Sequence, residues 1–181
     1  YIEIGCMAGG TFDNNAFLGP YDAAALSNTN TATAVHNNVF LCFGDGSNIS
    51  FSNNILWHTQ SRAQTVLIQS GKFDNIAINN NLFVNDPGCH SDASNCPAQD
   101  IEVYAAHGLT VTNNTIVNTS WGLHFPGVCT DGCYSSGTNE TLTNNIVESA
   151  GIDGNNDYSD WSSCSSGCVT GSNVSYDSSA I

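Results

Sequence analysis

Short alternations of apolar and polar residues run along this chain, and most of them end on a pair of asparagines. Ile49-Ser-Phe51, Ile76-Ala-Ile78 and Leu109-Thr-Val111 show the two-residue period of a strand that buries one face. After each comes Asn-Asn, then a second run whose second member is apolar. The pattern recurs as Phe12-Asp-Asn-Asn-Ala-Phe17, Val35-His-Asn-Asn-Val-Phe40 and Phe51-Ser-Asn-Asn-Ile-Leu56. It continues as Ile78-Asn-Asn-Asn-Leu-Phe83, Val111-Thr-Asn-Asn-Thr-Ile116 and Leu142-Thr-Asn-Asn-Ile-Val147, with a degenerate copy at Ser172-Asn-Val-Ser-Tyr176. The first asparagines of the six full copies are 23, 16, 27, 33 and 31 residues apart, so the units share a corner and differ in loop length.

Asparagine tolerates the left-handed backbone region better than any residue but glycine, so Asn-Asn suits a sharp corner between strands. Continuing the alternation through the corner predicts that Asn14, Asn37, Asn53, Asn80, Asn113 and Asn144 point inward. Stacked in a column, their amides would hydrogen-bond one to the next and form an asparagine ladder. The second asparagine of each pair would then take the left-handed turn. Phe17, Phe40, Leu56, Phe83, Ile116 and Val147 would form an apolar column on the strand that follows.

Over roughly residues 10 to 176 the I-x-[VIF]-x-N-N-x-[FIL] repeat resembles the parallel β-helix repeats of the pectate-lyase-like superfamily. The resemblance implies an all-β chain, a single right-handed parallel β-helix (β-solenoid) of about six to seven coils forming one domain over residues 1–181. An all-β sandwich with Asn-rich turns is the alternative, and six copies of one corner speak against it. The superfamily hosts lyases, hydrolases, adhesins and structural proteins, so the resemblance bears on fold far more than on activity.

Composition narrows the partners. Arg62 and Lys72 are the only cationic residues against 16 acidic ones, for a formal net charge of -14. Phosphate recognition depends on lysine and arginine, so nucleic acid is excluded as a partner, and anionic polymers and membranes are repelled. Eight cysteines point to disulfides and an oxidising, extracellular compartment. The close pairs are Cys89 with Cys96, Cys129 with Cys133 and Cys164 with Cys168, which leaves Cys6 and Cys42 as a fourth pair by elimination. Crossed bridges between the two C-x3-C loops, or a zinc site there, are the alternatives. Sequons at Asn48, Asn118, Asn139 and Asn173 suit a secreted glycoprotein, whereas an inward Asn113 would be unable to carry a glycan. No run of residues is long and apolar enough to span a membrane.

Catalytic chemistry is sparse in this sequence. The lyases of the superfamily imply Lys or Arg as base, often with calcium, yet Lys72 and Arg62 read as isolated solvated cations. Polygalacturonase-type hydrolases imply clustered aspartates with Gly-His-Gly and Arg-x-Lys. Gly44-Asp45-Gly46 and Ala106-His107-Gly108 are faint echoes of these and read as turns. His90 and Asp92, between Cys89 and Cys96 with Asp100 and Glu102 near, are the candidate acid–base pair. The remaining histidines, His36, His58, His107 and His124, read as structural. Asp153, Asn155, Asp157 and Asp160 alternate like the first half of a calcium loop, but Tyr158 and Cys164 stand where glycine and glutamate are needed.

The first residues, Tyr1-Ile-Glu-Ile4, alternate like a strand and not like a capping helix. That favours either a piece of a larger protein or coil ends occupied by further copies. The flanking residues Val39, Leu41, Ile55, Trp57, Leu82 and Val84 should face outward although they are apolar. The leading expectation is therefore a secreted, glycosylated, structural β-solenoid that assembles with copies of itself, as in a filament or surface-layer subunit. The alternatives are a carbohydrate-active enzyme (polysaccharide lyase or glycoside hydrolase), whole or as a fragment, and a glycan-binding or adhesive module using Trp57, Trp121 or Trp161.

Overall fold

A computed structural model describes residues 2–6, 8–18, 38–57, 65–84, 100–119, 122–125, 132–149, 158–161 and 164–177. All regular structure among them is β-strand, paired in parallel into three sheets. The first sheet stacks β1 (Ile2–Gly5), β4 (Phe40–Phe43), β7 (Val66–Gln69), β10 (Ile101–Val103), β14 (Leu123–Phe125) and β18 (Tyr158–Trp161) in that order. The second holds β2 (Ala8–Asp13), β5 (Gly46–Ser52) and β8 (Phe73–Asn79), then the split strands β11 (Ala106–His107) with β12 (Thr110–Thr112), β15 (Gly137–Thr138) with β16 (Thr141–Thr143), and β19 (Cys164–Ser166) with β20 (Val169–Gly171). The third stacks β3 (Ala16–Leu18), β6 (Ile55–Trp57), β9 (Leu82–Val84), β13 (Thr115–Thr119), β17 (Ile146–Ser149) and β21 (Val174–Asp177). The chain visits the sheets in the same order each time, which makes six β-solenoid-like coils among the described residues.

Equivalent positions of successive coils lie in register, so each apolar site in the repeat becomes a buried column. Phe40, Val66, Ile101 and Leu123 stack from the first sheet. Phe51, Ile78, Val111 and Leu142 stack from the second. Leu56, Phe83, Ile116 and Val147 come from the third. All are at most 5% exposed and form one continuous cluster. Phe12 and Phe17 pack on Phe40 and Phe51 with ring centroids 5.0 to 6.4 Å apart, so the first coil joins the core through aromatic contacts. The Cys6–Cys42 bridge ties the first coil to the second, and Cys164–Cys168 closes a short loop in the last. Cys133 is also disulfide-bonded; Cys89, Cys96 and Cys129 lie outside the described residues.

The ladder exists, but its members are the second asparagines. Asn54, Asn81, Asn114 and Asn145 are at most 2% exposed. Each donates through Nδ2 to Oδ1 of the ladder asparagine in the next coil: Asn54 to Asn81 at 3.0 Å, Asn81 to Asn114 at 2.9 Å, Asn114 to Asn145 at 3.0 Å and Asn145 to Asn173 at 3.0 Å. The same Nδ2 groups reach the carbonyls of Phe12, Phe51, Ile78 and Val111, and each Oδ1 also accepts a backbone N–H from the neighbouring asparagine. Every interior amide thus makes two donations and two acceptances, which burial demands.

Asn14, Asn53, Asn80, Asn113 and Asn144, predicted to point inward, are exposed and hold φ between 56° and 57°. The reason is the turn itself. A left-handed residue breaks the two-residue alternation, so its own side chain swings out and the next one swings in. The exclusion of Asn113 as an accessible sequon is corrected with it. Asn37 lies outside the described residues, and its partner Asn38 is buried just ahead of β4 on the first sheet. That copy therefore belongs to a different corner, while Ser172-Asn173 completes the real column. Val39 and Leu41 are likewise buried at 5%, unlike Ile55 and Trp57 at 43% and 45%.

A second left-handed column, invisible as a motif, bends the middle sheet. Gly9, Asn48, Asn75, Gly108, Asn139 and Gly167 occupy equivalent places with φ between 54° and 101°. Three glycines and three asparagines fill these places because they adopt this conformation more cheaply than other residues. At the corner between first and second sheets, Gly71 lies so close to the Gly44 carbonyl that an added Cβ would overlap it.

Candidate acid–base site on the middle sheet

The bend splits the outward face of the second sheet into two strips, and one of them collects titratable side chains. Ala8, Ser47, Asp74, His107 and Thr138 follow one another across five coils. Asp45 and Lys72 come from the adjoining corner, where the Lys72 N–H donates to Asp45 Oδ1 at 2.8 Å. Tyr134 reaches over the strip from the segment before β15. Asp45, Lys72, Asp74 and Tyr134, with Ala8, Gly46 and Ser47, line an open cavity of about 310 Å³, at the small end of the range for ligand sites.

Asp74 is the hub. The Tyr134 hydroxyl donates to its carboxylate, 3.1 Å from either oxygen, and His107 Nδ1 stands 3.5 Å from Oδ1. The rings of His107 and Tyr134 stack with centroids 3.6 Å apart and an angle of 17°, and Lys72 Nζ lies 5.8 Å from the Tyr134 ring centre. Burial, the hydrogen bond to Asp74 and the charges of Asp74 and Asp45 push the Tyr134 phenol up from its ordinary value, so it remains a proton donor at neutral pH. Two carboxylates, a phenol held protonated and an imidazole at the edge can exchange protons with a bound hydroxylic substrate. Asp74 and His107 are about half and two-fifths exposed, at 46% and 38% of their side chains, so the groups are accessible.

A second cluster lies on the outward side of the first sheet, and its carboxylates are closed to solvent. Leu41, Leu67, Glu102 and His124 are in register there. Glu102 is 3% exposed, its Oε2 3.5 Å from His124 Nδ1, and Asp100 at the start of the strand is fully buried and accepts the Thr65 hydroxyl at 3.1 Å. Burial, the charge of Glu102 and a hydrogen bond to it raise Tyr104 to about 12.

The residues singled out in the sequence are distributed unevenly over these places. Lys72 and Asp45, read as an isolated cation and a turn, meet at one cavity, and His107, also read as part of a turn, stands beside its Asp74. Asp74 and Tyr134 carried no motif; only the register of the coils brings them together. His90 and Asp92 lie outside the described residues, as do Asp153, Asn155 and Asp157, and of Asp160 only the strand position is described. Among the described residues no group of three or more His, Cys, Asp and Glu side chains is arranged to hold a metal ion. Asn48, Asn113 and Asn139 present exposed side chains; Asn173 is half-buried and spends its amide on the ladder, and Asn118 lies on β13. No described helix is long and apolar enough to cross a membrane, and the disulfides are compatible with an extracellular protein. No protein-family description, no curated protein and no solved structure matches this chain.

Proposed function

We propose that this chain is a secreted, right-handed parallel β-helix of the pectate-lyase-like kind that acts on a polysaccharide, by acid–base cleavage of a glycosidic bond in the middle-sheet cavity. One observation carries the reading. Two consecutive coils and a separate loop deliver Asp45, Lys72, Asp74 and Tyr134 to a single accessible depression, and His107 of the following coil stands against Asp74 and Tyr134. Surface charge alone does not require a tyrosine hydroxyl on a carboxylate with an imidazole stacked behind it. Asp45 and Asp74 supply the proton-moving carboxylates, Tyr134 a neutral donor, and His107 holds Asp74 and Tyr134 in place. The test is release of reducing or unsaturated ends from a polysaccharide panel by the purified protein and by Asp74→Asn. A folded wild type that binds but cleaves nothing would make the chain a glycan-binding or adhesive module, and one that does neither would sink the reading.

The apolar outer face of the third sheet favours a second reading, a structural solenoid that associates with copies of itself. Leu18, Ile55, Trp57, Ile146 and Val174 are 41% to 72% exposed along it, at its two ends with half-buried Leu82 and Thr115 between them, and exposed apolar groups of this sort mark contact surfaces. Native material should then scatter light as oligomers or show filaments by electron microscopy, and Ile55→Lys should disperse them. A monodisperse monomer at high concentration would dismiss this reading. N-glycans at Asn48, Asn118 and Asn139 and a calcium ion near Asp153 belong to the same extracellular proposal, tested by intact mass and by melting with chelator; Asn173, whose Nδ2 donates to the Leu142 carbonyl in the ladder, drops out as a glycan site.

A further inference from the structure

We infer that the polysaccharide taken by the middle-sheet cavity is uncharged, and that uronate polymers are turned away by the cavity's own carboxylates. The inference deepens the carbohydrate reading and rests on it. The cavity wall offers Asp45 and Asp74 against a single cation, Lys72. Lys72 is the only cationic residue among the described ones, in a chain of net charge -14. Its ammonium is also directed toward the Tyr134 ring, 5.8 Å away, and not into a fork that would seat a carboxylate.

Binding or breaking a uronate chain needs the reverse arrangement, cations placed to neutralise a carboxylate beside the bond that breaks. Here a uronate carboxylate entering the depression would meet two like charges at close range, and like charges in a partly desolvated site oppose one another strongly. The Tyr134 phenol, raised in part by both aspartates, reports the same negative potential from within the site. An uncharged sugar meets none of this opposition. Its hydroxyls can donate to Asp45 and Asp74 and to the Tyr134 oxygen, and accept from Lys72 and Ser47.

The experiment is affinity electrophoresis and end-group release with the full chain, using β-glucan, xylan and galactomannan as neutral polymers and polygalacturonate and alginate as uronates. At about 10 mM salt, where the screening length is about 30 Å, at least one neutral polymer should bind ten times or more tightly than either uronate. Raising salt to about 150 mM should strengthen uronate binding severalfold by screening and leave neutral binding unchanged. Asp45→Asn keeps the acceptor for the Lys72 N–H and removes the charge, so it should raise uronate affinity threefold or more. Asp74→Ala should abolish retardation by the neutral polymer, which locates binding in this cavity. Polygalacturonate bound as tightly as the neutral polymers at low salt, or unmoved by Asp45→Asn, would overturn the inference and leave the acid–base reading standing. No binding to any polymer, or binding indifferent to Asp74→Ala, would overturn both.

Discussion

Two clusters of similar composition sit on the outer faces of neighbouring sheets. Asp74, His107 and Tyr134 on the middle sheet and Glu102, His124 and Tyr104 on the first each unite a carboxylate, an imidazole and a phenol. They differ in access. Asp74 is nearly half exposed beside a cavity, while Glu102 is 3% exposed and Asp100 not at all. A carboxylate that solvent can reach is available to a substrate and contributes little to stability. A carboxylate sealed under the surface costs a great deal unless its partners satisfy it, so its surroundings are built around it. The same residue types therefore have different work in the two places: the open cluster is the candidate for chemistry, and the closed one fastens the first sheet.

That contrast is open to direct attack. The largest effect should fall on turnover. Asp74→Asn is expected to lower kcat on a cleaved polysaccharide by about 10² to 10⁴ while leaving the melting temperature within a degree or two. Glu102→Ala should do the opposite. Removing the buried carboxylate leaves the groups it satisfied, the Tyr104 hydroxyl among them, without their acceptor at a cost of about 1 to 3 kcal/mol, which in a domain of this size lowers Tm by roughly 2 to 12 °C; calorimetry on the two variants side by side would reveal whether the division of labour is real. If Glu102→Ala were as stable as Asp74→Asn, the closed cluster would not be a fastening at all.

A third comparison uses the two phenols. Tyr104, raised to about 12, should be among the last of the six tyrosines to ionise, and Glu102→Gln should bring it back toward the ordinary value. A phenol whose folded pKa exceeds its unfolded one lends stability fully below the unfolded pKa, about 10. That stability is lost as pH climbs from 10 toward 12. Denaturant unfolding across that interval should therefore show a downward slope that Tyr104→Phe flattens, read beside the phenolate absorbance. The smallest effect belongs to Tyr134→Phe. A half-buried hydroxyl-to-carboxylate bond is worth about 0.5 to 1.5 kcal/mol, so its stability change should be slight, whereas its loss of activity should exceed that of a distant surface variant.

Much of the fold was legible because the repeat states its own geometry. Phe51, Ile78, Val111 and Leu142 lie where the alternation places them, and the column Leu56, Phe83, Ile116, Val147 follows from the corner motif. The ladder was legible as a column of asparagines but not in its phase. Counting by two carries the pleat through Asn113 as though the backbone were still extended, and the φ of 56° there is a property of the turn and not of the residue name. The misplaced copy at Asn37 has the same source: an Asn-Asn between apolar residues looks identical at any corner, and only strand pairing shows that Asn38 leads into the first sheet. Of the candidate site, Asp45, Lys72 and His107 could be noticed singly. Asp74 sits in a strand of alternating pattern like any surface residue, and Tyr134 is 60 residues away from it in sequence.

By itself, then, the sequence determined the local and periodic facts: short strands with one apolar face, a corner that needs asparagine, enough cysteines to staple the coils, and a charge balance that leaves little to attract an anion. These depend on residue type and on spacing within a few positions, where backbone sterics and burial act directly. The tertiary structure decided which asparagine turns inward, which sequon is exposed, and which distant side chains share a cavity. Loops of unequal length separate the coils, so the register that brings Asp74 under Tyr134 and beside His107 is set by strand pairing across the whole stack, and no local spacing records it.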